Sequence, residues 1–187
     1  MSRPASQRNV GTGIVCPTTG KEIKVGDCRC TPPEVVRLVR QFAPIGVDPC
    51  GSESSLWGAH TQYLLSRGED GLALPWVVRG QPLRSVVPLN APWSNWLPWV
   101  RKAVSEWMEH GVETIVISRP ESATEWGKLL HAHATRIAKL SMRCEFAADG
   151  VAPGTDTIST QLAYLGERTE RFTTIMRANG HSVWRPA

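Results

Sequence analysis

The sequence predicts an α/β protein: a mainly parallel sheet with helices on both faces, preceded by an N-terminal hairpin. Two observations carry this. Short β-branched runs alternate with segments whose apolar residues recur at three- and four-residue spacing. In such an alternation each helix carries the chain back across the sheet, so successive strands run the same way. The 187 residues suit one domain with a core large enough to fold alone. Residues 1–30 read as a leader and hairpin, and residues 31–187 as a single catalytic-type domain.

The elements follow in order. Residues 1–11 read as a flexible leader. Gly13 to Cys16 and Lys21 to Val25 flank Pro17-Thr-Thr-Gly20 as a hairpin would. Thr31 is placed to cap a helix whose first turn accepts Pro32 and Pro33, since amide protons there have no partner. Val35, Leu38, Val39 and Phe42 form its apolar stripe. Ile45 to Val47 reads as a strand, Leu56 to Ser66 as a helix, Glu69-Asp70-Gly71-Leu72 as a turn, and Arg84 to Leu89 as a strand. Ser94 is placed to cap a helix from Asn95 to His110, with Trp96, Val100, Ala103, Val104 and Trp107 inward and Gly111 as its stop. Glu113 to Ile117 is a strand, and Ser122-Ala-Thr-Glu125 a capping box for a helix to about His133. Arg136 to Phe146 holds one or two strands, Ala147 to Asp156 a Gly/Pro loop, and Thr157 to Leu165 a strand. Glu167 to Ala178 is the last helix, stopped by Asn179-Gly180.

Composition narrows the class. Hydrophobic residues at 41% and charged residues at 20% are globular, not disordered, proportions. The net charge of +4 permits an acidic partner such as nucleic acid, and is equally ordinary for a soluble protein. Eight tryptophans stand against five Phe plus Tyr; most belong in the core, though flat rings also suit bases. No stretch approaches the roughly 18 apolar residues of a membrane span. The start, MSRPASQRNVGTG, lacks the apolar centre of a secretory signal. An odd set of five cysteines without scaffold spacing fits a reducing, cytoplasmic setting.

In open α/β sheets, ligands bind beyond the carboxyl ends of the strands. Val47-Asp48-Pro49-Cys50-Gly51 follows the first strand. Asp48 there accepts hydrogen bonds from ligand hydroxyl or ammonium groups, or else belongs to a plain strand-to-helix turn. Leu89-Asn90-Ala91-Pro92-Trp93 follows another. The Asn90 amide oxygen and the Ala91 carbonyl, steadied by Pro92, form a clamp for an amino group, and Trp93 offers a face for a planar base. The same residues also read as a turn with Trp93 packed on the sheet.

Asn90-Ala91-Pro92-Trp93 resembles the (Asn/Asp)-Pro-Pro-(Tyr/Phe/Trp) motif of amino-methyltransferases acting on DNA bases. More closely, the chain resembles the phage-type DNA adenine-N6 methyltransferases. Thr31-Pro32-Pro33-Glu34, Asp48-Pro49-Cys50, Glu69-Asp70-Gly71-Leu72 with Trp76, and Trp99-Val-Arg-Lys-Ala103 support it. So do Ser118-Arg-Pro120, Thr124-Glu-Trp126, Arg143-Cys-Glu-Phe146, Leu162-Ala-Tyr164 and Arg171-Phe172. The likeness spans about residues 30–184. It implies a Rossmann-like methyltransferase using S-adenosylmethionine to methylate the N6 amino group of a flipped adenine in double-stranded DNA. Thr31, Pro32, Asp48, Pro49 and Cys50 would then line the cofactor site. Asn90 and the Ala91 carbonyl would hold the amino group, with Pro92 completing the motif and Trp93 stacking on the base. Asp70 would contact the base or the cofactor, though it also reads as a turn residue. Read from the residues alone, Arg119 at a strand end either contacts a substrate phosphate or is a solvated arginine. Ala91 departs from the motif's proline and removes a backbone restraint on Asn90. That keeps open a catalytically silent protein binding DNA or a protein partner, or an amino-methyltransferase acting on another base.

The remaining candidates have plain alternatives. Cys16, Cys28, Cys30 and Cys50 are either zinc ligands in an unpaired spacing or small buried thiols. His131 and His133, two apart, do not share a helix face. Lys139, Arg143, Arg168, Arg171 and Arg177 either extend a DNA-facing surface or scatter as solubilising charge.

Overall fold

The computed structural model describes residues 11–24, 27, 29–146 and 157–186. Residues 1–10 of the expected leader, Cys28, and the expected loop Ala147 to Asp156 lie outside them. Five strands form the main sheet: β5 (Val87–Leu89), β6 (Thr114–Ser118), β7 (Arg136–Glu145), β8 (Thr157–Leu165) and β9 (Ser182–Trp184), in the order β5-β6-β8-β7-β9. Only β5 and β6 pair in parallel; β6 with β8, β8 with β7, and β7 with β9 are antiparallel. The expected mainly parallel, Rossmann-like sheet is therefore wrong: this is a mixed sheet dominated by antiparallel pairing. The reason lies between β7 and β8. The sequence Ala147 to Asp156 between them carries no apolar helical repeat, and β8 lies antiparallel between β6 and β7, a pairing that needs no crossover helix.

A small parallel pair, β3 (Val47–Asp48) with β4 (Thr61–Gln62), adjoins this sheet. Ile45 bridges Val86 in parallel, just ahead of β5. The carboxyl ends of β3 and β5 thus open on the same side. The hairpin of β1 (Gly11–Val15) and β2 (Glu22–Lys24) is antiparallel.

Four helices cover the sheet. On one face, Val35, Leu38, Val39 and Phe42 of α1 (Pro33–Phe42) join Phe172 and Met176 of α4 (Thr169–Ala178) over Ile115, Ile117, Leu162 and Tyr164. On the other, Trp96, Trp99, Val100 and Ala103 of α2 (Trp96–His110) join Leu130 of α3 (Glu125–His133) over Val87, Leu89, Val116, Ala163 and Leu165. Residues 115 to 117 and 162 to 165 feed the two cores alternately, as the strand pleat requires. Each such fully buried side chain contributes about 1.5–3 kcal/mol.

Several local expectations fail for tertiary reasons. Leu56 to Ser66 is not helical. Gly58 has φ +56, Thr61–Gln62 pairs with Val47–Asp48, and a short 3-10 turn, Leu65–Arg67, ends at left-handed Gly68. Pro32, not Thr31, is the N-cap of α1, with no side-chain cap bond. Asn95 is the N-cap of α2, because Ser94 is engaged elsewhere: its N–H and hydroxyl both donate to Asp27, at 2.8 Å. Thr124, not Ser122, caps α3, accepting from the Gly127 N–H at 3.1 Å. β5 starts at Val87, as Arg84 sits at φ +57, outside strand geometry.

Candidate functional site

The ends of β3 and β5 open into a cavity of about 330 Å³. Asp48, the last residue of β3, is 3% exposed. Its carboxylate accepts the Ser55 hydroxyl at 2.7 Å and the Cys50 N–H at 3.3 Å. Burial outweighs both bonds and pushes its pKa up to about 6. Burial also raises the neighbouring Cys50 thiol, helped by the charges of Asp48, Asp70 and Cys16. Cys50 is thus a neutral wall, not a nucleophile.

A second acidic turn docks on the first. A side chain at Gly71 would put its Cβ 2.0 Å from the Pro49 carbonyl oxygen, so the close approach of Asp70-Gly71 to Asp48-Pro49 requires glycine. The Gly71 carbonyl accepts the Trp76 indole N–H at 2.8 Å, which anchors the turn in the core. Burial pushes the Asp70 carboxyl up, but donors outweigh it and hold it below its ordinary value. They are first the Thr18 side chain, then the Leu72 N–H at 2.9 Å, the Thr18 N–H at 3.0 Å and the Cys16 thiol at 3.4 Å. The turn after β1 thereby closes over the cavity.

Asn90 follows β5. Its Nδ2 donates to the Arg29 carbonyl at 2.7 Å, which sets the amide's direction. Its Oδ1 is buried and has no partner among the described residues, and neither has the Thr31 hydroxyl. Both residues line the cavity. A buried acceptor left unmatched costs about 1–3 kcal/mol, so such groups are kept where something meets them. Pro92 lines the same cavity, whereas Ala91 is 1% exposed and packs in the α2/α3 core.

Trp93 stands beside the cavity, half-buried, the edge of Phe146 against it at 5.4 Å. The Arg119 guanidinium lies over its ring at 4.5 Å from the centroid, and that of Arg29 at 5.2 Å. An open groove of about 530 Å³ is lined by these two arginines together with Glu121, Arg143 and Thr157.

The structure therefore brings Thr31, Asp48, Pro49, Cys50, Asp70, Asn90 and Pro92 around one cavity. It places Pro32 at the helix cap, Ala91 in the core, and Arg119 at the neighbouring groove with its guanidinium over Trp93, whose ring also packs against both cores. Sequence reasoning missed Ser55, Arg29 and Gly71. Arg29 acts on Asn90 from 61 residues away and Ser55 on Asp48 from seven, and no motif spacing signals either; the Gly71 close approach was hidden inside an ordinary-looking turn.

Among the described residues, no group of three His, Cys, Asp or Glu side chains is positioned to hold a metal ion. Nor is any helix there long and apolar enough to cross a membrane. Compared with known proteins, the chain matches no family model, no curated protein and no solved structure.

Proposed function

We propose that this protein transfers a methyl group from S-adenosylmethionine to the N6 amino group of a flipped adenine in double-stranded DNA. The observation that carries the reading is the Asn90 amide. Its Nδ2 is tied to Arg29, its Oδ1 is a buried acceptor with no partner among the described residues, and the residue lines a ligand-sized cavity. An amino group bearing N–H donors is the complement of such an acceptor.

The cavity fits the cofactor's chemistry. Asp48 offers a carboxylate to cationic and hydroxyl groups, Thr31 offers a hydroxyl with no partner among the described residues, and Trp57, Tyr63 and Leu64 give apolar wall. When bound there, the cofactor supplies an electrophilic methyl group. Asn90 would accept an N–H of the adenine amino group, favour a pyramidal nitrogen, and stabilise the positive charge growing on it. Holding the amino group in line supplies much of the rest of the rate.

The test is incubation of mixed-sequence DNA with S-adenosylmethionine, hydrolysis to nucleosides and mass spectrometry. N6-methyl-2′-deoxyadenosine is expected. Methyl on cytosine would move the activity to another base. No methyl on any base, with cofactor binding demonstrated by calorimetry, would leave a silent DNA-binding protein. Asn90→Ala should slow the single-turnover step by about 10²–10³-fold while leaving cofactor affinity within a few-fold. Equal losses in both would remove Asn90 from the chemical step.

A further inference from the structure

We infer that Arg119 is a displaceable occupant of the base platform: its guanidinium covers Trp93 until a base arrives, then moves into the groove to meet the flanking phosphate. This rests on the reading of Trp93 as the surface on which the base stacks. Three observations lead to it. Arg119 is exposed, lies 4.5 Å from the Trp93 ring centroid, and has no carboxylate partner among the described residues. Nothing described therefore fixes its side chain except the ring. Second, Arg119 also lines the open groove, where three arginines, Arg29, Arg119 and Arg143, stand against the one carboxylate of Glu121 among the described residues. Arg143 is braced there, its Nε donating to the Thr157 hydroxyl at 2.9 Å and its Nη2 to the Thr157 carbonyl at 2.6 Å.

Third, Arg29 lines both the groove and the cavity. It donates to the Phe146 carbonyl at 3.2 Å, while its own carbonyl orients Asn90. The groove and the acceptor thus meet at Arg29, with Trp93 beside it.

An exposed cation–ring contact is weaker than a base stacked on an indole, so the exchange runs toward the base. The displaced guanidinium needs an anionic partner, and a nucleic-acid strand brings one at every nucleotide. A positively charged groove beside an aromatic platform is the arrangement that follows a strand's backbone while one base is stacked.

The two halves of the exchange have opposite signs, which makes the test sharp. The probes are 2-aminopurine deoxyriboside, which has a base and no phosphate, and a short oligothymidylate with one central 2-aminopurine. Fluorescence quenching reads stacking for both. Arg119→Ala should bind the nucleoside about two- to five-fold more tightly, because its competitor for the ring is gone. The same variant should bind the oligonucleotide more weakly, with the salt slope of log K reduced by about one. Arg143→Ala should weaken only the oligonucleotide. Arg119→Gln gives the same signs in a second background should the alanine variant unfold. If both probes lose affinity together in the Arg119 variants, or neither changes, the exchange is overturned. Calorimetry with S-adenosylmethionine alone reads the methyl-transfer proposal separately. Sign reversal without cofactor binding would sink that proposal and leave the exchange standing; methylation with parallel losses would do the converse.

Discussion

Asp48 and Asp70 line one cavity, are 3% and 5% exposed, and are displaced in opposite directions. The turn after β3 gives Asp48 one hydroxyl and one long backbone N–H, and burial wins. Asp70 receives the Leu72 N–H from its own turn and the Thr18 N–H and Cys16 thiol from the turn after β1, and the donors win. Asp48 is the more deeply enclosed of the two carboxylates and has the fewer donors, and both differences push its pKa up relative to that of Asp70. Asp70 is a finished structural acceptor that fastens the β1 turn to the core. Asp48 is an unfinished one, and a bound ligand bringing a positive charge or a hydroxyl would complete it.

The largest expected effect tests that contrast by pH. Asp48 has a folded pKa near 6 against an ordinary 3.8, so the neutral form favours folding. Its contribution is complete below about pH 4 and is lost as pH rises through about 6, at most about 3 kcal/mol. Asp70 has the opposite sign: its contribution is full above its ordinary 3.8 and lost as pH falls. Denaturant melts of wild type and Asp48→Asn between pH 4 and pH 7, subtracted, should show the Asp48 loss as pH rises; a flat difference would mean that burial does not hold the Asp48 carboxyl up. S-adenosylmethionine affinity should rise through about pH 6 in wild type and become insensitive there in Asp48→Asn, measured by calorimetry.

Next in size, Asp70→Asn turns an acceptor of three bonds into a group with one acceptor atom and an NH₂ facing donors. A loss of about 2 kcal/mol is expected at pH 7 in denaturant melts. The β1 turn should also be released, read as faster exchange of the Thr18 amide. Retention of both stability and protection would contradict the fastening role. The smallest effect is Ser55→Ala, about 1 kcal/mol at pH 7, because it removes one hydrogen bond to Asp48. Its sharper readout is the Asp48 midpoint, which should move further up; a downward move would mean that Ser55 does not favour the charged carboxylate.

Much of the local structure was legible. Thr157 to Leu165 is a strand with the expected bounds, Gly111 ends α2 in the left-handed conformation, and Val35, Leu38, Val39 and Phe42 are the buried stripe of α1. Asp48-Pro49 and Asn90 do sit just past buried strands, and they face one cavity. What failed was decided at long range. Leu56 to Ser66 carries apolar residues that suit a helix, yet Thr61–Gln62 pairs with Val47–Asp48. Ser94 has cap chemistry, but Asp27, far away in sequence, takes its hydroxyl. The edge strand β9 is three residues and gives no periodic signal.

The sequence by itself determined where apolar side chains recur, where glycine and proline stop an element, and which polar residues stand at strand ends. These depend on steric and hydrogen-bond preferences within a few residues of each position. Only the tertiary structure decided that β8 enters between β6 and β7, that Gly71 lies against Pro49, that Arg29 turns the Asn90 amide, and that Arg119 covers Trp93. Strand order and side-chain partnership are set by which distant surfaces bury the most apolar area while satisfying backbone groups. No local pattern encodes that choice.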